Sequence, residues 1–203
     1  ALGIADTKGS AAGWIYDPLL AVEPGMKAVL WSNGGRAFVP GTFYAQAFAL
    51  NDAGVVTGTF YNLGDNTLRA FTWSTGAATI LPSLGGSTSE GNGINNSGDV
   101  VGDSFHAMSA SEIAVLWPAA GGIFELGTFG GATSSARDIN NHRQIVGYAL
   151  DATGAPRAFL SDAGAAIVDL NSLLPPNSGW VLLSANAIND AGQIVGEGLL
   201  NGD

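Results

Sequence analysis

The sequence predicts an all-β repeat protein, most simply a five-bladed β-propeller with an incomplete last blade; a β-solenoid is the alternative. Three observations predict it. A unit of about 45 residues recurs four and a half times along the 203 residues. Each unit carries a tight-turn signature followed by a β-branched run. The composition, with 30 glycines, 46% hydrophobic and only 12% charged residues, suits short strands joined by turns. Interior glycines disfavour helices by up to about 1 kcal/mol each, and so apolar a chain is not disordered.

Five segments align without gaps and close on Gly13, Gly58, Gly102, Gly147 and Gly196, spaced 45, 44, 45 and 49 residues apart. Typical are Leu50-Asn-Asp-Ala-Gly-Val-Val-Thr-Gly58, Ile94-Asn-Asn-Ser-Gly-Asp-Val-Val-Gly102 and Ile188-Asn-Asp-Ala-Gly-Gln-Ile-Val-Gly196. A second motif follows the first four: Lys27-Ala-Val-Leu-Trp31, Arg69-Ala-Phe-Thr-Trp73, Ile113-Ala-Val-Leu-Trp117 and Arg157-Ala-Phe-Leu-Ser161. A third closes each unit: Phe38-Val-Pro-Gly-Thr-Phe43, Ile80-Leu-Pro-Ser-Leu-Gly-Gly86, Glu125-Leu-Gly-Thr-Phe-Gly-Gly131 and Val168-Asp-Leu-Asn-Ser-Leu-Leu174. The units fall at about 1–44, 45–88, 89–133, 134–182 and 183–203, the last partial, within one repeat domain.

Each unit reads as four strands, A to D. Strand A ends at the Ile-Asn pair. The Asn starts a tight turn by bonding its own backbone, and a Gly in the left-handed region closes it. Strand B is the β-branched run, C the Ala-Phe-Leu-Trp run, and D the third motif. Four antiparallel strands in about 45 residues is the size of a propeller blade. Sixteen to eighteen strands are expected in all. Alternation places Ile94, Ile139, Ile188, Val100, Ile145, Ile194, Phe71 and Phe159 inside. Arg143 stands where four units have Gly, so an unchanged turn holds it at positive φ, at a cost of about 1–2 kcal/mol.

The formal net charge is −10, and the seven Lys and Arg are scattered. Without a basic patch, neither nucleic acid nor an anionic membrane is an expected partner. The chain has no cysteine, which excludes disulfides and thiol chemistry. No stretch approaches the roughly 20 apolar residues of a membrane helix, so no membrane insertion is expected. His106 and His142 are the only histidines, and neither is placed for catalysis or ligation. Nucleophile-elbow, Walker, zinc-protease and dinucleotide motifs are missing. No cofactor, metal or catalytic residue is assigned.

The repeated Trp31, Trp73 and Trp117 read as packing residues, and the column Asp6, Asn51, Asn95, Asn140 and Asn189 as turn caps rather than metal ligands. Function in repeats concentrates where the repeat varies, and the B–C connections vary most. They carry Trp14, Tyr16 and Asp17; Phe60, Tyr61 and Asp65; Asp103, Phe105 and His106; Tyr148 and Asp151. Aromatics beside carboxylates can stack a sugar and bond its hydroxyls, so these are the candidate ligand-binding residues. The competing reading is strand continuation and turn formation. A carboxylate pair for glycoside hydrolysis needs only two acids brought together by the fold, with Asp17, Asp65, Asp103, Glu112 and Asp151 as its candidates.

The runs Ile-Asn-x-x-Gly-x-Val-Val-Gly, Arg-Ala-Phe-x-Trp and Leu-Gly-Thr-Phe-Gly-Gly resemble the HAF-repeat family of bacterial repeat proteins, across nearly the whole chain. The family's His-Ala-Phe column appears as Arg69-Ala-Phe71 and Arg157-Ala-Phe159, with Lys27, Arg69, Ile113 and Arg157 in place of the His. The resemblance implies secretion or surface display and no defined activity. The expected function is a non-catalytic extracellular module that binds a glycan or protein, or serves as a scaffold. A secreted hydrolase with acids on one face, and a self-assembling surface or filament subunit, are the alternatives. Self-association is expected through the open edge at residues 185–200, where few charges blunt an unpaired strand.

Overall fold

The computed structural model describes residues 3–5, 10–17, 25–32, 34–39 and 44–203, with the side chains of 3–5, 17, 25 and 26 left aside. Asp6 lies outside the described residues, as does the end of the first closing motif, from Pro40 to Phe43. Among the described residues the chain forms eighteen strands and a single turn of 3-10 helix, Leu170–Leu173. Four antiparallel four-stranded sheets follow one another. Sheet one holds β1 (Gly3–Ala5), β2 (Ser10–Asp17), β3 (Gly25–Ser32) and β4 (Gly35–Phe38); sheet two holds β5 (Ala45–Leu50), β6 (Val56–Asn62), β7 (Thr67–Trp73) and β8 (Thr79–Ile80). Sheet three holds β9 (Gly85–Ile94), β10 (Val100–His106), β11 (Ser111–Trp117) and β12 (Phe124–Glu125); sheet four holds β13 (Gly130–Ile139), β14 (Gln144–Asp151), β15 (Pro156–Asp162) and β16 (Val168–Asp169). A hairpin, β17 (Trp180–Ile188) and β18 (Ile194–Leu200), is sheet five. The four-strand unit and its partial fifth copy are therefore as the repeat columns predict. Strands β9 and β13 start at Gly85 and Gly130, so the Gly-Gly that ends the closing motif already belongs to the next sheet.

Each sheet packs face to face on the next in chain order. First strands of successive sheets touch (β5 on β9, β9 on β13, β13 on β17), whereas the short fourth strands do not pack on one another. This is the disposition of blades around an axis. No closed ring forms among the described residues, because sheet five has no substantial contact with sheet one.

The A–B turns explain both the local geometry and the stacking. In those of sheets two to five, the Asn Oδ1 accepts two backbone N–H groups, two and four residues ahead: Asn95 from Ser97 and Asp99, Asn140 from His142 and Gln144. The residue three ahead donates its N–H to the Asn carbonyl. It sits at positive φ: Gly54 at 80°, Gly98 at 85°, Gly192 at 74°, and Arg143 at 63°. The turn with Arg143 is thus unchanged. Its guanidinium Nε stands 2.9 Å from the buried Asp99 Oδ2 in the preceding sheet, an ion pair too far out of line to be a hydrogen bond.

Between sheets the alternation is regular. Even-numbered residues of strand C, such as Ala114 and Leu116, face the next sheet; Phe71, Trp73, Val115, Trp117 and Phe159 face the previous one. Of the repeated tryptophans, Trp117 and Trp73 are core, donating to Pro82 O and Gly76 O, and Trp31 is half-buried. Of the eight residues predicted inside, seven are buried and Ile194 is half-buried, since no third strand among the described residues covers it. The glycine closing strand B opposes a β-bulge in strand A. A Cβ at Gly102 would lie 1.8 Å from Glu90 O, and one at Gly147 2.0 Å from Ser135 O. The column is glycine because the bulged carbonyl fills the space of a side chain.

Candidate functional site

The predicted ligand-binding residues do not converge. Trp14 and Tyr16 are exposed on β2, and the Asp17 side chain lies outside the described residues. Phe60 is core, edge-on to Phe71 with centroids 5.9 Å apart. Tyr61 meets Tyr44 edge-on and bonds Asn66. Asp65 is a turn residue that accepts from Thr67 and pairs with Arg69 at 3.6 Å. These bonds hold its carboxyl below the usual range. Phe105 is half-buried, packed where a Cβ on Gly86 would collide with it. His106 Nδ1 accepts from Ser109 N, and Nε2 stands 3.6 Å from Glu125. Asp151 closes its hairpin, accepting from Thr153, Ala155 and both Nε and Nη2 of Arg157. These bonds, led by the Thr153 hydroxyl, hold its carboxyl well below the ordinary value.

Asp103 is the exception to this dispersal. It stands opposite Glu90 across β9–β10 and sinks into the contact of sheets three and four. Its Oδ2 accepts from Ser135 Oγ at 2.6 Å and from Asn92 Nδ2 at 3.1 Å. The same Asn92 amide reaches Ala136 O in sheet four. Burial raises the pKa of Asp103, and that of Glu90 with it; their mutual repulsion and that of Glu112 add to the rise at Glu90. Arg137 opposes the rise at both acids, and its guanidinium stands 5.3 Å over the Tyr148 ring. Asp138, on β13 of sheet four, is similarly raised by burial; its Oδ2 accepts Ile188 N from sheet five. These acids clasp neighbouring sheets. Glu90, Asn92 and Ser135 have no motif of their own in the sequence, because the register that brings them to Asp103 is set by the bulge.

Two recesses bear on function. The first, of about 240 Å³, lies where the Ile-Asn-Asx turns of four sheets meet, from Leu50-Asn51-Asp52 to Ile188-Asn189-Asp190. Its wall is a hydrogen-bonded ladder. Asn51 Nδ2 donates to Asn95 O, Asn95 Nδ2 to Asn140 O, and Asn140 Nδ2 to Asn189 O. Beside it, the backbone N of Asp52, Asn96 and Asn141 donates to the side-chain oxygen of Asn96, Asn141 and Asp190. Turn capping, read from the sequence, accounts for one half of each Asn amide; the forward bond to the next sheet is the half it does not reveal. The second recess, of about 320 Å³, is an apolar groove between sheets four and five, with Ala158, Leu170, Trp180, Leu182, Ile194 and Gly196 in its wall.

No group of three or more His, Asp and Glu placed to hold a metal ion occurs among the described residues. No described helix is long and apolar enough to cross a membrane.

Residues 122–203, which hold β12 of sheet three, sheet four and the hairpin, match a family described as protein of unknown function, DUF3466. No curated protein matches the chain.

Proposed function

We propose that this chain is a non-catalytic repeat module working outside the cell, a scaffold that engages a protein. The observation that carries the reading is where the carboxylates are spent. Asp103 and Asp138 clasp neighbouring sheets, Asp65 and Asp151 close hairpins with arginines, and Asp52 and Asp190 are tied to asparagine amides in the axial ladder. A glycosidase needs an acid and a second carboxylate facing a substrate cleft; here the larger of the two recesses has one carboxylate in its wall, Glu197, among mostly apolar residues. An apolar groove beside an unpaired strand suits a polypeptide better than a sugar. The resemblance of the repeat columns to HAF repeats supports the extracellular setting. The test is a panel of polysaccharide and peptide hydrolysis assays alongside a glycan array. No turnover and no glycan binding are expected. Hydrolysis that disappears in Asp103→Asn would replace this reading with the hydrolase.

A further inference from the structure

Sheet three differs from its neighbours in one row of side chains. On the face turned to sheet four, Glu90 of β9 stands opposite Asp103 of β10, and Glu112 of β11 lies diagonal to Asp103, two residues from Ala114. The corresponding rows are Gln46, Thr59 and Leu68 in sheet two, and Ser135, Tyr148 and Pro156 in sheet four. Where those sheets have neutral residues, sheet three has three acids. The row borders the core that sheets three and four share, from Val101 and Ala114 to Ala136 and Phe159, and β9, β10 and β11 all pack on β13. Three bonds cross beside it: Ser135 Oγ to Asp103, Asn92 Nδ2 to Ala136 O, and Ala114 N to Ser134 Oγ. Arg137 is the cation on sheet four that acts on both Glu90 and Asp103. Other charged groups on these strands are engaged elsewhere: Asp138 with Ile188 N, Asp151 with Arg157, and His106 beside Glu125.

We propose that this contact is a pH-operated latch. It is shut while the acid row holds a proton. It parts on the side of the B–C turns, with both sheets intact, once Glu90 and Asp103 both carry charge. Like charges directly opposite each other destabilise a sheet, and one Arg137 does not balance three carboxylates. Burial raises both groups, and Glu112 adds to the rise at each. Ser135 and Asn92 donate to Asp103 and favour its carboxylate, so Glu90 keeps the last proton. A carboxyl raised in the closed contact supports it in full below the ordinary range, near 4. That support is lost as pH rises through the raised value. The latch therefore loosens toward neutral pH, baring the Ala114 and Ala136 side of the core while the other sheet contacts stay closed.

The test is amide exchange on the full 203-residue chain at about pH 4 and about pH 8, on either side of the raised carboxyl range, with the intrinsic pH dependence of exchange divided out. Protection of residues 102–104 and 134–136 should fall at least tenfold at the higher pH, a local opening. The corresponding residues of sheet two, 45–47 and 58–60, should keep theirs. Glu90→Gln gives sheet three the residue that sheet two has at this place, and should hold the contact shut at both pH values. Glu90→Ser, after Ser135 in sheet four, is the second variant and should do the same. Protection that does not change with pH overturns the proposal. So does an equal loss in sheet two, which makes the response global. A full loss that persists in both variants overturns it as well, because Glu90 then holds no proton that matters. None of these readouts depends on what the module binds.

Discussion

Asn95 shows how one side chain holds two levels of structure. It is 3% exposed; its Oδ1 closes its own turn and its Nδ2 reaches Asp99 and the next turn's carbonyl. Asn95→Ala strands the buried N–H of Asp99, the partly exposed N–H of Ser97 and the Asn140 carbonyl, and is expected to destabilise the chain by about 2–3 kcal/mol. Asn189→Ala, at the exposed end of the ladder, leaves the same groups to water and should cost about 1 kcal/mol. Urea unfolding of both variants checks the ratio; equal losses would mean that the ladder contributes nothing beyond the turn cap. Gly102→Ala tests the bulge. Its Cβ would lie within 2 Å of the Glu90 carbonyl, so a loss of about 3 kcal/mol is expected. A neutral result there would show that the bulge can relax.

The contact of sheets three and four makes stability depend on pH. Burial raises Glu90 and Asp103, and Asp138 behaves alike one sheet on. A carboxyl with a raised folded pKa holds its proton more tightly folded than unfolded. Its contribution is complete below the ordinary Asp and Glu values, near 4, and is lost as pH rises through the folded value. Urea midpoints should therefore fall as pH rises above about 4, and Asp103→Asn should flatten that fall. An unchanged slope in the variant would place the dependence elsewhere. Asp151 and Asp190 act in the opposite sense. Their lowered values contribute stability above the ordinary Asp range that is lost in acid. At this scale the sequence is read unevenly. Turns, strand order and the inward alternation follow from local chemistry repeated in register, down to the left-handed Arg143. The meeting of Asp103 with Ser135 and Asn92 does not. It depends on a one-residue bulge, and a bulge shifts every later side chain while leaving no residue signature except the glycine opposite it. The variable B–C residues likewise drew attention by differing between units, yet Phe60 differs only as core does, and Asp65 and Asp151 only as turn formers do.

Across the whole molecule, each sheet contacts its immediate neighbours, so the stack is nearly one-dimensional and its stability is a sum of unit and interface contributions. Removing residues 51–94, which joins Leu50 to Asn95 and preserves every column, should leave a folded, less stable β protein. Circular dichroism and a thermal melt decide this, and an unfolded product would mean that the interfaces are not interchangeable. Val195 illustrates the end of such a stack. Its equivalents Ala12, Thr57, Val101 and Val146 are fully buried, whereas Val195 is 64% exposed, with no sheet among the described residues covering it. The amide ladder adds a property that packing alone lacks. The amides of Asn51, Asn95 and Asn140 are each handed forward, toward Asn189, while beside them Asn96 Nδ2 reaches back to Asp52. Along the forward column the described stack therefore has a direction, from the Asn51 carbonyl to the Asn189 amide. Two copies related by a twofold axis would bring like ends together, so only a head-to-tail arrangement could extend the ladder from one molecule into the next.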